Sequence, residues 1–299
     1  MSNPHPFRFG VVAAQAASGE EWTAKARRVE ALGYATLVIP DTLQYSLSAF
    51  PALAAAAAAT QTLRVGTYVI ANDLRNPVLL AKDAATLDFL SGGRFELGMG
   101  AGRPSAEADN RAMGLPFDSG GIRVSRLAES LAIVRGLLAG ERVNLAGSYY
   151  AVSGAAISPR PVQARLPILV AGSSRRLLGL AGRQADIVAL GIPPDAAEPF
   201  VAECIQWLRD AAGAPFADLE INLNLMAVGG RIPRYLSASF GGAAADFAKS
   251  DAVSVLKGDI DQMSERLLEL RDRLGISYVM VSEELMDALA PVVARIASH

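Results

Sequence analysis

The sequence predicts an α/β fold, a (β/α)8 TIM barrel formed by one domain over residues 1–299, with an insertion at residues 139–166 between the fourth and fifth strands. Three observations carry the prediction. Short β-branched runs alternate with longer segments of helical periodicity, the order that builds a parallel sheet. Eight such runs are present, which favours a closed barrel over an open doubly wound sheet. The chain of 299 residues is 51% apolar and only 19% charged, as expected of one barrel around a large core.

The first strand is predicted at residues 7–13 and its helix at 20–32, where Trp22, Ala26 and Val29 share a face. Residues 35–40 form strand two, and 47–60 an alanine-rich helix whose small side chains suit close packing. Strand three is read at 64–71, its helix at 78–90 and strand four at 94–98. A helix follows at 123–138, with Leu127, Leu131, Val134 and Leu138 on one face. The segment after it is rich in Gly and Pro and short of periodicity, which marks the insertion. Strands five and six are read at 167–171 and 186–190, with helices at 174–183 and 198–211. Strand seven spans 219–228, strand eight 276–281, and a helix at 284–297 closes the order; residues 229–258 do not separate into helices and loops. Along strand seven Glu220, Asn222, Asn224 and Met226 share one face, and the two asparagines are read as a hydrogen-bonded interior layer. Arg64 is read as a surface charge and Trp207 as helix packing.

Composition excludes several classes of function. A net charge of −2 leaves no electrostatic footprint for nucleic acid or an anionic membrane. The single Cys204 forms no internal disulfide, and with no leader or spanning segment predicted the expectation is a soluble, cytoplasmic protein. Both histidines, His5 and His299, stand at the chain ends, which argues against imidazole catalysis and a histidine-ligated metal.

In a barrel the chemistry belongs to the loops after the strands. Those loops present Asp41 and Thr42, then Asn72 and Arg75, then Gly100, Ala101, Gly102 and Arg103, then Gly172, Ser173 and Ser174. Gly98, Gly100 and Gly102 recur at every second position, so extended backbone puts them on one face without Cβ atoms. That face suits either a planar ligand or tight packing against a neighbouring helix. The run Gly172-Ser173-Ser174-Arg175-Arg176 leaves a strand and opens a helix, and reads as an anion site or as a plain serine N-cap. Gly100 to Ser105 lacks the third glycine of a dinucleotide fingerprint, and a Rossmann site is rejected.

The run RVGTYVIANDLRNPVLLAKDAATLDFLSGGRFELGMGAG resembles the bacterial luciferase-like superfamily of flavin and deazaflavin oxidoreductases, in particular the branch that uses coenzyme F420. PILVAGSSRRLLGLAGRQADIV and RLGISYVMVS resemble later blocks of the same family, so the likeness covers nearly the whole chain. The resemblance implies a barrel that holds an isoalloxazine-like ring, with a non-prolyl cis peptide behind it at the pair matching Tyr68–Val69. It implies a phosphate at Gly172, Ser173, Ser174 and Arg175, and the segment Gly100, Ala101, Gly102 and Arg103 beside the ring system. Asp41, Thr42 and Asn72 would line the reacting face, and Glu107 is a further candidate acid. Two departures stand out: strand two ends in Asp41-Thr42 where relatives commonly carry Asp-His, and Arg103 stands where an aromatic is frequent. Arg103, Arg160, Arg175, Arg176, Arg231 and Arg234 are candidate partners for the anionic tail of F420, which favours it over FMN. The expected activity is hydride transfer between F420 and a small organic substrate. The alternatives are a monooxygenase using reduced FMN and a cofactor-binding barrel that has lost catalysis. The family also implies a homodimer, for which the helix at 47–60 offers one face.

Overall fold

The computed structural model describes residues 5–296. Ala297, the last residue of the predicted final helix, and His299 lie outside the described residues. The strands in chain order are β1 (Arg8–Val12), β2 (Thr36–Ile39), β3 (Arg64–Thr67), β4 (Ile70–Ala71), β5 (Phe95–Gly100), β6 (Val143–Ala146), β7 (Ala151–Ala155), β8 (Ile168–Gly172), β9 (Ile187–Leu190), β10 (Glu220–Leu225), β11 (Ala227–Val228), β12 (Val255–Leu256) and β13 (Ile276–Ser282). The principal sheet runs β3-β2-β1-β13-β10-β9-β8-β5-β4, and a further β3–β5 pairing returns the order to its start. Because β3 and β4 are two pieces of one barrel strand, this is the closed eight-stranded parallel (β/α)8 barrel that the alternation of elements predicts. Among the described residues no helix is long and apolar enough to cross a membrane.

Two compact units make up the chain. The first comprises residues 5–13, 25–37 and 171–296. In it β1 and β10 flank β13 in parallel, Arg8 facing Tyr278 and Asn222 facing the same residue from the other side. Asn222 is fully buried and its Nδ2 donates to the Tyr278 carbonyl, as the predicted interior polar layer requires. The Arg8 guanidinium stacks 3.9 Å over the Tyr278 ring and pairs with Glu220. The second unit comprises residues 14–24 and 38–170 and carries β3, β4, β5 and the antiparallel hairpin of β6 and β7.

Several boundaries differ from the sequence reading, each for a local reason. The predicted strand three breaks at the Tyr68–Val69 peptide, which is cis, the bond type the resemblance implies at this pair. The fourth barrel strand runs on past Gly98 to Gly100, so Gly100 belongs to it rather than to a loop. The seventh ends at Leu225, and β11 leaves the main sheet to pair with β12. The unreadable stretch after it holds the helices Arg234–Phe240 and Ala244–Phe247, with the Phe240 and Phe247 rings stacked 4.7 Å apart. The helix Ile260–Leu274 then starts from a capping box of Asp259 and Gln262.

Arg64 is no surface charge. Its Nε donates to Glu96 Oε1 at 2.6 Å and its Nη2 to Gln163 Oε1 at 2.9 Å, and the Glu96 side chain is only 4% exposed. The block Ser91-Gly92-Gly93-Arg94 is structural in the same way: Arg94 donates to the carbonyls of Ala57 and Leu63, closing the end of helix Ala49–Ala59.

Candidate active site

In the second unit, the segments that follow β2 and β4 build one polar cluster. Asp41 comes two residues after β2, and its side chain is only 10% exposed. Its Oδ1 accepts from Arg75 Nη2 at 2.9 Å and its Oδ2 from the Ala71 backbone N–H at 3.4 Å. Both carboxylate oxygens are therefore engaged by the strand end and turn that carry Asn72. Thr42 makes local contacts. Its Oγ1 and backbone N–H are shared with Ser46 Oγ, and its Oγ1 also accepts from the Tyr45 N–H, so the side chain closes a local turn.

Asn72 is 1% exposed at the start of the turn after β4. Its Nδ2 donates to the Tyr150 hydroxyl at 3.2 Å, while its Oδ1 is buried and has no partner among the described residues. A buried amide oxygen left unpaired is uncommon and asks for a ligand or a function. Tyr150 comes from the insertion, which supplies a site residue the sequence reading overlooked.

The insertion is fastened here from the helix Gly120–Leu138. Glu129 accepts from three successive N–H groups, Ser148 at 2.8 Å, Tyr149 at 2.9 Å and Tyr150 at 3.0 Å. Arg126 binds Asp73 at 2.8 Å and also Asp118, and lies 5.5 Å from the Tyr149 ring centroid. Burial pushes the Tyr150 phenol above its usual range, against the opposing pull of Asn72 and Arg126, so it keeps its proton at neutral pH. For Glu129 desolvation pulls upward, yet the three backbone hydrogen bonds outweigh it and hold its carboxyl below the usual carboxylate range. A depressed folded value means that the clamp contributes stability above the ordinary carboxylate range and loses it as pH falls through the folded value. Glu129→Gln at neutral pH should therefore mimic acid, with the amides of residues 148–150 exchanging faster than in the parent when followed by hydrogen exchange. Unchanged protection of those three amides would refute the clamp.

The glycine face of β5 is filled, not open. A Cβ on Gly98 would stand 2.0 Å from the Thr67 carbonyl oxygen, and one on Gly100 2.7 Å from Val69 Cγ2. The absent side chains thus admit the neighbouring strand end, not a helix, and Val69 is the surface laid over these glycines. Gly102 has left the strand with φ of 81°. Ala101 is buried, whereas Arg103 is exposed. Glu107 is exposed in an i,i+4 pair with Arg111 and has the surface-helix role.

In the first unit Gly172 ends β8 and Ser174 caps the helix Arg175–Gln184, its side chain accepting from the Leu177 N–H at 3.3 Å. The N-cap reading of this serine holds. Arg175 and Arg176 are exposed on the first turn. The Leu177 side chain fills the space beside Gly172, where a Cβ would meet its Cδ2 at 2.2 Å.

These features define a (β/α)8-barrel protein with polar groups collected beyond its strands, the arrangement in which barrels carry ligands. Residues 5–231 match the luciferase-like monooxygenase family, and the chain belongs to it. It is 38% identical over 165 residues to an F420-dependent glucose-6-phosphate dehydrogenase of Beutenbergia cavernae, a match covering 52% of this chain and 48% of that relative's length. An uncharacterised protein of Mycobacterium tuberculosis is 31% identical over 230 residues, covering 69% of this chain and 77% of the relative. Among solved structures, the F420-dependent tetrahydromethanopterin reductase of Methanopyrus kandleri aligns with a TM-score of 0.79 at 20% identity, over 99% of both chains. At that identity the likeness bears on the fold.

Proposed function

We propose that the protein is an oxidoreductase moving a hydride between coenzyme F420 and a small organic substrate. The observation that carries the reading is the cluster after β4, where a buried amide oxygen on Asn72 lacks a donor beside the ion-paired Asp41. A deazaflavin ring, with an N–H flanked by carbonyls, fits that donor set. The 38% identity to an F420-dependent dehydrogenase supports the same cofactor. When bound, F420 supplies hydride transfer, and the protein supplies binding, orientation and electrostatics.

In this reading Val69 and Tyr68 back the ring, while Asp41, fixed by Arg75, orients rather than shuttles a proton. Thr42 shapes the loop. For Gly172, Ser173, Ser174 and Arg175 we propose the cofactor phosphate: the positive end of the helix and two exposed arginines on its first turn favour an anion, while Ser174 Oγ serves the helix. The test is calorimetry of F420 and FMN against the purified protein at one fixed salt concentration. Selective binding of F420 is the expected result. Selective binding of FMN, with oxygen consumed by the reduced flavin, would replace the reading by a monooxygenase.

A further inference from the structure

The Asn72–Tyr150 contact sets a hydrogen-bond acceptor and a hydrogen-bond donor side by side. Asn72 spends its Nδ2–H on the Tyr150 oxygen, so its Oδ1 remains an acceptor without a donor. Tyr150 receives that bond on its oxygen, and its own O–H has no acceptor among the described residues. Each atom is held in place. Asn72 is almost wholly buried and follows the strand residue Ala71, whose N–H is bound by Asp41. Tyr150 belongs to the backbone that Glu129 gathers by three hydrogen bonds, its own N–H being the third. An orphan acceptor next to an orphan donor calls for a ligand edge bearing a donor next to an acceptor. A lactam has that pattern, an N–H bonded directly to a C=O, and a lone phosphate or carboxylate does not.

We propose that Asn72 Oδ1 and the Tyr150 hydroxyl bind the pyrimidinedione edge of the cofactor ring, Asn72 taking its N–H and Tyr150 donating to the adjoining carbonyl. The assignment rests on the deazaflavin reading given above. It makes the insertion part of the cofactor site, through one residue. Because the phenol keeps its proton at neutral pH, the donor is present across the working range.

Two perturbations test the contact, one on each partner. Tyr150→Phe removes the donor and keeps the ring of the side chain. Its dissociation constant for F420 should rise about tenfold, the value of one buried hydrogen bond. The second perturbation leaves the protein untouched: the tail-free deazaflavin nucleoside is compared with its N3-methyl derivative by fluorescence titration. Methylation removes the donor that Asn72 needs, and binding should weaken at least about tenfold. Equal affinity for the two nucleosides, or an unchanged F420 affinity in Tyr150→Phe, overturns the proposal while leaving the deazaflavin reading in place. Failure of the unmodified protein to bind F420, the nucleoside or FMN overturns that reading and this contact together.

Discussion

Gly98→Ala should lower the stability of the protein by about 3 kcal/mol, and Gly100→Ala by only about 1 kcal/mol. Both glycines lie in β5 with ordinary extended dihedrals, so backbone strain plays no part, and alanine has the better strand propensity. What separates them is the obstacle. At Gly98 the new Cβ would stand 2.0 Å from a backbone carbonyl oxygen, that of Thr67. The same carbonyl belongs to a strand whose partner register, Val65 opposite Phe95 and Gly66 opposite Glu96, is fixed by hydrogen bonds. Thr67 Oγ1 further donates to the Gly98 carbonyl and accepts from the Gly98 N–H, so both strands would have to move together. At Gly100 the obstacle is one methyl of Val69, 2.7 Å away, which a small rotation relieves. Urea denaturation of the two variants measures the difference. Equal losses would show that β5 and β3 are not locked as described. Since Val69 backs the proposed ring position, Gly100→Ala should also weaken F420 binding more than its small stability loss suggests.

The comparison of these glycines shows what the sequence could and could not convey. Spacing at every second residue marked a Cβ-free face, because the strand period depends only on local geometry. What covers that face is a tertiary fact, and the answer, the chain at Thr67 to Val69, lies about thirty residues away along the sequence. The order of strands and helices was legible for the same local reason, since each barrel unit repeats one hydrophobic pattern. Asp41 and Asn72 were legible as residues at strand ends, but their partners were not. Tyr150 carried one weak signal, an aromatic pair with Tyr149 inside a Gly- and Pro-rich insertion. Nothing local indicated that Glu129 would bend the backbone of residues 148–150 around its carboxylate, 19 to 21 residues downstream. Thr42 is a further case: its hydroxyl was legible beside a candidate acid, but its contact with a serine four residues on was not.

Arg64 was misread on the same ground, and its removal should be costly. Arg64→Met leaves the Glu96 carboxylate, 4% exposed, without its guanidinium partner. Breaking a buried ion pair by removing one partner costs about 3–5 kcal/mol, and the lower end applies because Arg64 itself is 26% exposed. The arginine also donates to the Phe95 carbonyl at 3.3 Å and to Gln163, so its loss loosens the start of β5 as well as the ion pair. Pairing the change with Glu96→Leu separates the two contributions. If the penalty comes from the broken ion pair, the double variant should recover about half of the loss, since an apolar pair of similar volume replaces a buried ion pair at little net cost. The residue left unrecovered then reports the bonds to Phe95 and Gln163. A double variant no more stable than Arg64→Met would show instead that Arg64 acts through those backbone and amide contacts, and that Glu96 tolerates its burial without the arginine. The pair lies at the beginning of β3 and close to that of β5, the end of these strands remote from Asp41 and Asn72. Both variants should therefore lose stability while binding F420 with the affinity of the parent at temperatures where they remain folded, which keeps the scaffold's contribution separate from that of the proposed site.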